Sequence, residues 1–200
     1  MRTIRISLFA VAALAILALS ASAGVYVYNP DPVDLNGLDH HEYYQWGLSW
    51  DQTDETVYDV VLTFDNIRNW QLEDNRLFIH LLDEVPLGLN IGWDNEDGLI
   101  DYFEGQGVLI DAWQDTLSTG WDSPGQTLTY SLRDLGLLDI FLEYASSGTY
   151  GFAFDPDCHF FNDGVSVTII TDVPEPVTIA LFSLGLVGVG YGVHRRRSKS

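Results

Sequence analysis

The sequence predicts an all-β protein: an antiparallel, jelly-roll-like β-sandwich with one short helix, carrying a routing signal at each end. Three observations point there. Short segments of alternating apolar residues recur along the middle of the chain. Turn signals separate them: Asn29-Pro30-Asp31-Pro32, Asn36-Gly37, Asp97-Gly98, Ser123-Pro124-Gly125, Ser147-Gly148 and Asp163-Gly164. Helical periodicity is confined to one stretch, and many short strands at such spacing suit a sandwich or jelly roll.

In chain order, Tyr58, Val60, Leu62 and Phe64 share one face of the first strand segment, with Asp59, Val61, Thr63 and Asp65 opposite. Leu77, Ile79 and Leu81 alternate with Phe78, His80 and Leu82, the pattern of a strand covered on both faces. Val108–Trp113 is a weaker strand segment. Leu128, Tyr130 and Leu132 alternate with Thr127, Thr129 and Ser131. From Arg133 to Ala145, Leu135, Leu138, Leu142 and Ala145 fall at helical spacing, which predicts the short helix. Tyr150, Phe152 and Phe154 alternate with small residues. Val165, Val167 and Ile169 form the last strand face.

Charge divides the chain differently. It has 200 residues, with 29 Asp or Glu against 9 Lys or Arg, a net −20. All 29 acids lie in residues 24–176, where Arg68, Arg76 and Arg133 are the basic residues and lysine is absent, giving −26. Nucleic acid and anionic lipid need a basic face, so neither is a partner of this segment. Without lysine it has no Schiff-base nucleophile and no Walker-type phosphate loop.

The ends read as addresses. Arg2 and Arg5, the apolar run Leu8–Leu19 and the small residues Ala21 and Ala23 predict a signal peptide over 1–23. The domain follows over 24–172. Over 173–200, Pro174-Glu175-Pro176 precedes an apolar run, 177–193, and then Arg195-Arg196-Arg197. The run is about long enough to cross a bilayer as a helix, with the arginines left inside. This order of features resembles the PEP-CTERM sorting signal of Gram-negative bacteria, which exosortase recognises. The resemblance implies export through the inner membrane, a transient C-terminal anchor, cleavage near Pro-Glu-Pro and delivery to the cell surface or extracellular matrix. Leu38–Trp50, Leu62–Trp70, Leu77–Asp83, Asp101–Ile110 and Gly151–Ile169 also resemble blocks of a β-rich group of PEP-CTERM exported proteins. That likeness implies an exported β-rich domain and attaches no activity to it.

Several residues invite chemistry. Asp155, Asp157, Asn162 and Asp163 offer hard oxygens in a loop between strands, a donor set that suits Ca²⁺; the competing reading is a polar turn. Zn²⁺ would draw on Cys158, His159 and His40 or His41, with spacing unlike a zinc motif. Around Gly98, Asn95, Asp97, Asp101 and Glu104 occupy EF-hand ligand places, but Trp93 stands where the first Asp belongs. Cys158 has no second cysteine to pair with and is expected to be buried. His40-His41 follows Asp39 in a polar loop, and His80 reads as a satisfied core histidine. Trp46, Trp50, Trp113 and Trp121 are sugar-stacking candidates, weighed against core packing. No nucleophile elbow or zincin motif is present, so no catalytic residue is assigned. The expected function is a non-catalytic surface or matrix protein associated with exopolysaccharide in a biofilm. A Ca²⁺-binding structural matrix protein and a secreted carboxylate-dependent glycoside hydrolase are the alternatives.

Overall fold

In the computed structural model the described residues are 24–51, 55–71, 73, 75–94, 99–117, 120 and 122–172. The expected signal peptide and the 177–193 helix lie outside them. The chain divides into two units, 25–171 and the terminal segments 1–24 with 172–200. Unit 25–171 holds the whole core described below.

Its strands are β1 (Val25–Tyr28), β2 (Glu42–Ser49), β3 (Thr56–Asn69), β4 (Leu77–Asp83), β5 (Gly88–Trp93), β6 (Val108–Trp113), β7 (Gln126–Ser131), β8 (Thr149–Pro156), β9 (Phe160–Phe161) and β10 (Gly164–Asp172). Helix α1 (Leu138–Ser147) connects β7 to β8. One sheet has the order β1-β10-β3-β7, with β9 also pairing β3; the other runs β5-β2-β8-β4-β6. The β1–β10, β2–β5, β2–β8, β3–β7, β3–β9, β4–β6 and β4–β8 pairs are antiparallel. The chain passes from one sheet to the other between most successive strands, but β4, β5 and β6 all lie in the second sheet, and the result is the antiparallel β-sandwich the sequence predicts.

The main core lies between the sheets. Val60, Leu62, Phe64, Val165, Val167 and Ile169 face Tyr44, Trp46, Ile79, Leu81, Phe152 and Phe154, all buried. The expected face of β3 needs one correction. Val57 is buried and Tyr58 is 41% exposed, because the alternation slips by one residue between Val57 and Val60. The helix also differs from expectation. A turn over 133–136 ends at Gly136, with φ +72°, so α1 starts only at Leu138. Its core side is Phe141 and Ala145, while Leu135 and Leu142 are exposed. β1, β2 and β5 carry too many aromatic or polar residues to show clean alternation, and they were not legible as strands.

The second sheet is covered on its outer face as well, which is why six consecutive residues of β4, Leu77–Leu82, are buried. The cover is formed by residues 84–94 and 99–107. The first part leaves β4 and carries the edge strand β5, and the second leads into β6 at the opposite edge; we call residue 94 with 99–107 the strap. Small residues make room for it. A Cβ on Gly47 would lie 2.0 Å from Pro86 O, and one on Gly151 would lie 2.8 Å from the Val85 side chain. Phe103, fully buried, packs with Leu82, Val85 and Ala153, beside the Tyr43 ring, as a second, smaller core.

Phe103→Ala is therefore expected to lower stability by about 3 kcal/mol, the usual loss for a buried phenylalanine. Urea denaturation of the full chain checks this. Amide exchange in the same variant should rise first over 99–107 and least in β3 and β10.

Candidate functional site

Two groupings of chemically capable side chains stand out. The first is a rim at one end of the sandwich, built from four connections. Asp39, His40 and His41 precede β2; Trp70 follows β3; Trp93 ends β5; His159 lies between β8 and β9. The Trp93 ring stacks on His41, with centroids 5.4 Å apart and planes 21° apart, and His41 lies 3.9 Å from His40. Asp39 sits between two imidazoles, 3.6 Å from His40 Nδ1 and 3.9 Å from His159 Nδ1. His159 in turn neighbours Trp70, at 6.1 Å, and Phe161, at 4.8 Å. Trp93 is 59% exposed and Trp70 42%.

Backbone bonds hold this rim. Trp70 N donates to His159 O, Asp94 N to His41 O, and Leu38 and Phe160 exchange two bonds of 2.9 Å. The buried Tyr44 hydroxyl accepts from Asp39 N at 2.9 Å. Gly37, at φ +76°, leaves space for the His159 ring, whose Nε2 would lie 3.2 Å from a Cβ there. Burial lowers the His159 imidazole, against the opposing pull of Asp39.

The second grouping lies beneath the strap. Tyr102 N donates to Asp155 Oδ2 at 2.8 Å, and Asp101 Oδ1 accepts from Phe103 N. His80, buried on the outer side of β4, bridges Gln106 O through Nδ1 at 3.1 Å and Asp101 Oδ2 through Nε2 at 2.9 Å. Gln106 O can only accept, so Nδ1 carries a hydrogen. His80 is thus a satisfied histidine, though it faces the strap rather than the main core. Asp155 is fully buried and Asp94 is 4% exposed; their carboxyl groups lie within hydrogen-bonding reach of one another. Burial pushes Asp155 up to about 7, with Asp94 and Asp101 adding to the shift and the Tyr102 N–H opposing it. Asp157 is also pushed up to about 7, by burial first and then by Asp155 and Asp94. Asp155 Oδ1 and Asp157 Oδ2 are buried without a hydrogen-bond partner.

The sequence-derived candidates separate across these environments. Asp155 lies near the end of β8, and Asp157 follows the strand. Asn162 and Asp163 follow β9, which belongs to the other sheet: Asn162 Nδ2 donates to Asp34 O, and Asp163 accepts from Asn66 Nδ2 and lies 3.7 Å from Arg68. Among the described residues no three His, Cys, Asp or Glu side chains already surround one metal position. Cys158 is buried as expected, its Sγ 2.7 Å from both Asn69 Oδ1 and Glu73 Oε1. Burial and the Glu73 carboxylate push its thiol up. It shares no contact with His159 that a common Zn²⁺ would need.

Of the sugar-stacking candidates, Trp46 is 2% exposed within the main core, so it offers no ring face. Trp50 packs edge-on against Tyr26, and Trp113 packs against Phe160. Trp121, Asn95 and Asp97 lie outside the described residues. Among the described residues the exposed tryptophans are Trp70 and Trp93, and no motif marks them. The one available signal was position: Leu89, Ile91 and Trp93 alternate up to an acidic turn. A cleft of about 540 Å³ opens between the strap and β4, lined in part by Leu99, Ile100, Asp101 and Glu104. Neither Asp155 nor Asp157 lines it.

Comparison with known proteins adds the C-terminal assignment. Residues 172–197 match the PEP-CTERM protein-sorting motif. No curated protein matches the chain, and no solved structure does. The motif implies export, C-terminal anchoring before sorting, and processing by exosortase. Pro174, Glu175, Pro176 and the terminal arginines fall within the matched segment. Among the described residues no helix is long and apolar enough to cross a membrane.

A pH dependence follows from the buried acids. Asp155 and Asp157 hold protons in the folded state at pH values where the unfolded chain, with ordinary carboxylates near pH 4, has released them. Stability is therefore expected to fall as pH rises from about 4 to about 7. Thermal melts in chelator should show this, and Asp155→Asn should flatten the slope and melt higher than the parent at pH 8.

Proposed function

We propose that the exported domain is a non-catalytic cell-surface or extracellular-matrix protein that associates with exopolysaccharide through the rim of Trp70 and Trp93. The observation that carries this reading is the line Trp93–His41–His40–Asp39–His159–Trp70. Two exposed indoles end it, and imidazoles and a carboxylate fill it. Indole faces cover the apolar faces of sugar rings, while imidazole and carboxylate groups hydrogen-bond hydroxyls. The backbone bonds described above fix these groups before any ligand arrives, so little ordering is left to oppose binding.

The acidity of the domain narrows the glycan. At −26 over residues 24–176, an anionic polysaccharide meets long-range repulsion, whereas a neutral one does not. The reading therefore favours neutral glycans. The sorting motif supports the setting, because it sends the domain out of the cytoplasm.

The test is a glycan-binding assay on the full chain, using neutral and anionic bacterial exopolysaccharides. Trp93→Ala and Trp70→Ala should each weaken binding at least tenfold, about 1.4 kcal/mol, with melting temperatures close to the parent. Binding that is absent, or unchanged in both variants, contradicts the reading. Export is tested separately. Replacing Pro174, Glu175 and Pro176 by alanine should leave the chain uncleaved in the membrane fraction, as followed by immunoblot.

A further inference from the structure

Positive charge is scarce in residues 24–176, and the rim gathers the groups that gain it in acid. This stretch carries three arginines, no lysine and four histidines, His40, His41, His80 and His159. His80 is buried beneath the strap, bonded to Asp101. The other three meet at the rim from two separate connections. The His40 side chain is 42% exposed and that of His159 25%, so solvent protons reach both. Three carboxylates face these rings. Asp39 lies between His40 and His159, 3.6 and 3.9 Å away. Glu73 accepts from the Trp70 indole N–H and lies within charge range of His40. Glu42 accepts from the Tyr44 hydroxyl, which itself accepts from Asp39 N. Arg68 lies over Phe161, the neighbour of His159, and is paired with Asp163. Asp94 meets His41 through its backbone, and its carboxyl group faces Asp155.

We propose that the rim is an acid-operated selector: it excludes carboxylate-bearing polysaccharide while His40, His41 and His159 are neutral, and admits it once they are charged. The proposal rests on the glycan-binding reading of the rim. Imidazole is the side chain that changes charge between about pH 5 and 8, whereas carboxylates do so near pH 4. With the imidazoles neutral, Asp39, Glu42 and Glu73 repel a polyanion. In acid three imidazolium groups offset those three carboxylates. A uronate carboxylate then pairs with an imidazolium while an indole covers its sugar ring. Charged His41 beneath Trp93, and charged His159 beside Trp70, hold the indoles where they stand. Burial holds His159 neutral to lower pH than an ordinary imidazole, so its charge arrives in the more acid part of the range. The many acids elsewhere on the domain are screened beyond about 8 Å at physiological ionic strength, which leaves the decision to the groups at the rim.

The experiment measures binding of the full chain to alginate, a polyuronate, and to dextran, a neutral glucan, at about pH 8 and about pH 5 in physiological salt. Alginate affinity should rise about tenfold on acidification, the scale of one or two exposed ion pairs. Dextran affinity should change by no more than about twofold, since a neutral chain meets no repulsion to relieve. The decisive readout in variants is the ratio of alginate affinities at the two pH values, whatever the affinity at pH 8. His40→Gln should cut that ratio to about threefold, and His40→Gln with His159→Gln to about one. Asp155→Asn and Asp157→Asn remove the other acids that take up protons in this range, and each should keep the parent's ratio. Should His159→Gln fail to fold, His40→Gln alone decides. Dextran binding with equal alginate affinity at both pH values overturns the selector and leaves the glycan reading standing. A parental ratio in His40→Gln, or its loss in Asp155→Asn, overturns the selector as well. Absence of binding to either glycan at both pH values contradicts the reading and the selector together.

Discussion

The close approach of residues 84–94 and 99–107 to the outer face of the second sheet is the constraint on which the rest depends. That face is paved with Gly47, Gly151 and Ala153, and the Tyr43 ring lies across Gly92. With side chains of ordinary size there, Pro86, Val85 and Phe103 could not reach the sheet. The small residues remove side-chain packing from one layer, and the covering segment restores it with Phe103 and Val85. The sheet thereby gains apolar cover on both sides, which explains a strand as uniformly buried as β4.

The same arrangement generates the chemistry. Laying the strap over β8 places Asp155 out of water and brings Asp94 against it. Burial of acids is unfavourable unless a proton, a hydrogen bond or a cation compensates, and here the backbone N–H of Tyr102 compensates only one oxygen. The strap also starts at the rim: Trp93 ends β5, and the next residue, Asp94, bonds the His41 carbonyl through its N–H while its carboxyl group faces Asp155. The exposed aromatic rim and the buried acidic cluster are thus adjacent products of one crossing.

Much of the sandwich was legible because its strands obey a period of two. β3, β7 and β10 show it in their burial, and double-sided burial of β4 was readable from its continuous apolar run. The small residues alternating with Tyr150, Phe152 and Phe154 were visible too, but their meaning was not. Gly151 and Ala153 only make sense once the cover above them is known. The helix start was missed because spacing alone ignores the left-handed Gly136 that ends the preceding turn. The rim was illegible for a different reason. Its residues come from four separate connections, and exposure, not residue type, distinguishes Trp70 and Trp93 from the buried Trp46. The acidic cluster was half legible: two of its members sit in the Asp155–Asp163 run, and the third arrives from a loop about sixty residues earlier. The exported address, by contrast, was written contiguously in the last residues and needed no fold to be read.

The strap's attachment is the central claim, and the Tyr102 amide reports it most directly. Its N–H points at a fully buried carboxylate, 2.8 Å from Asp155 Oδ2. Site-resolved hydrogen exchange on the full chain should find this amide protected as strongly as the central amides of β8. Exchange at the rate of an open loop, with β8 still protected, would show that the strap does not lie on the sheet.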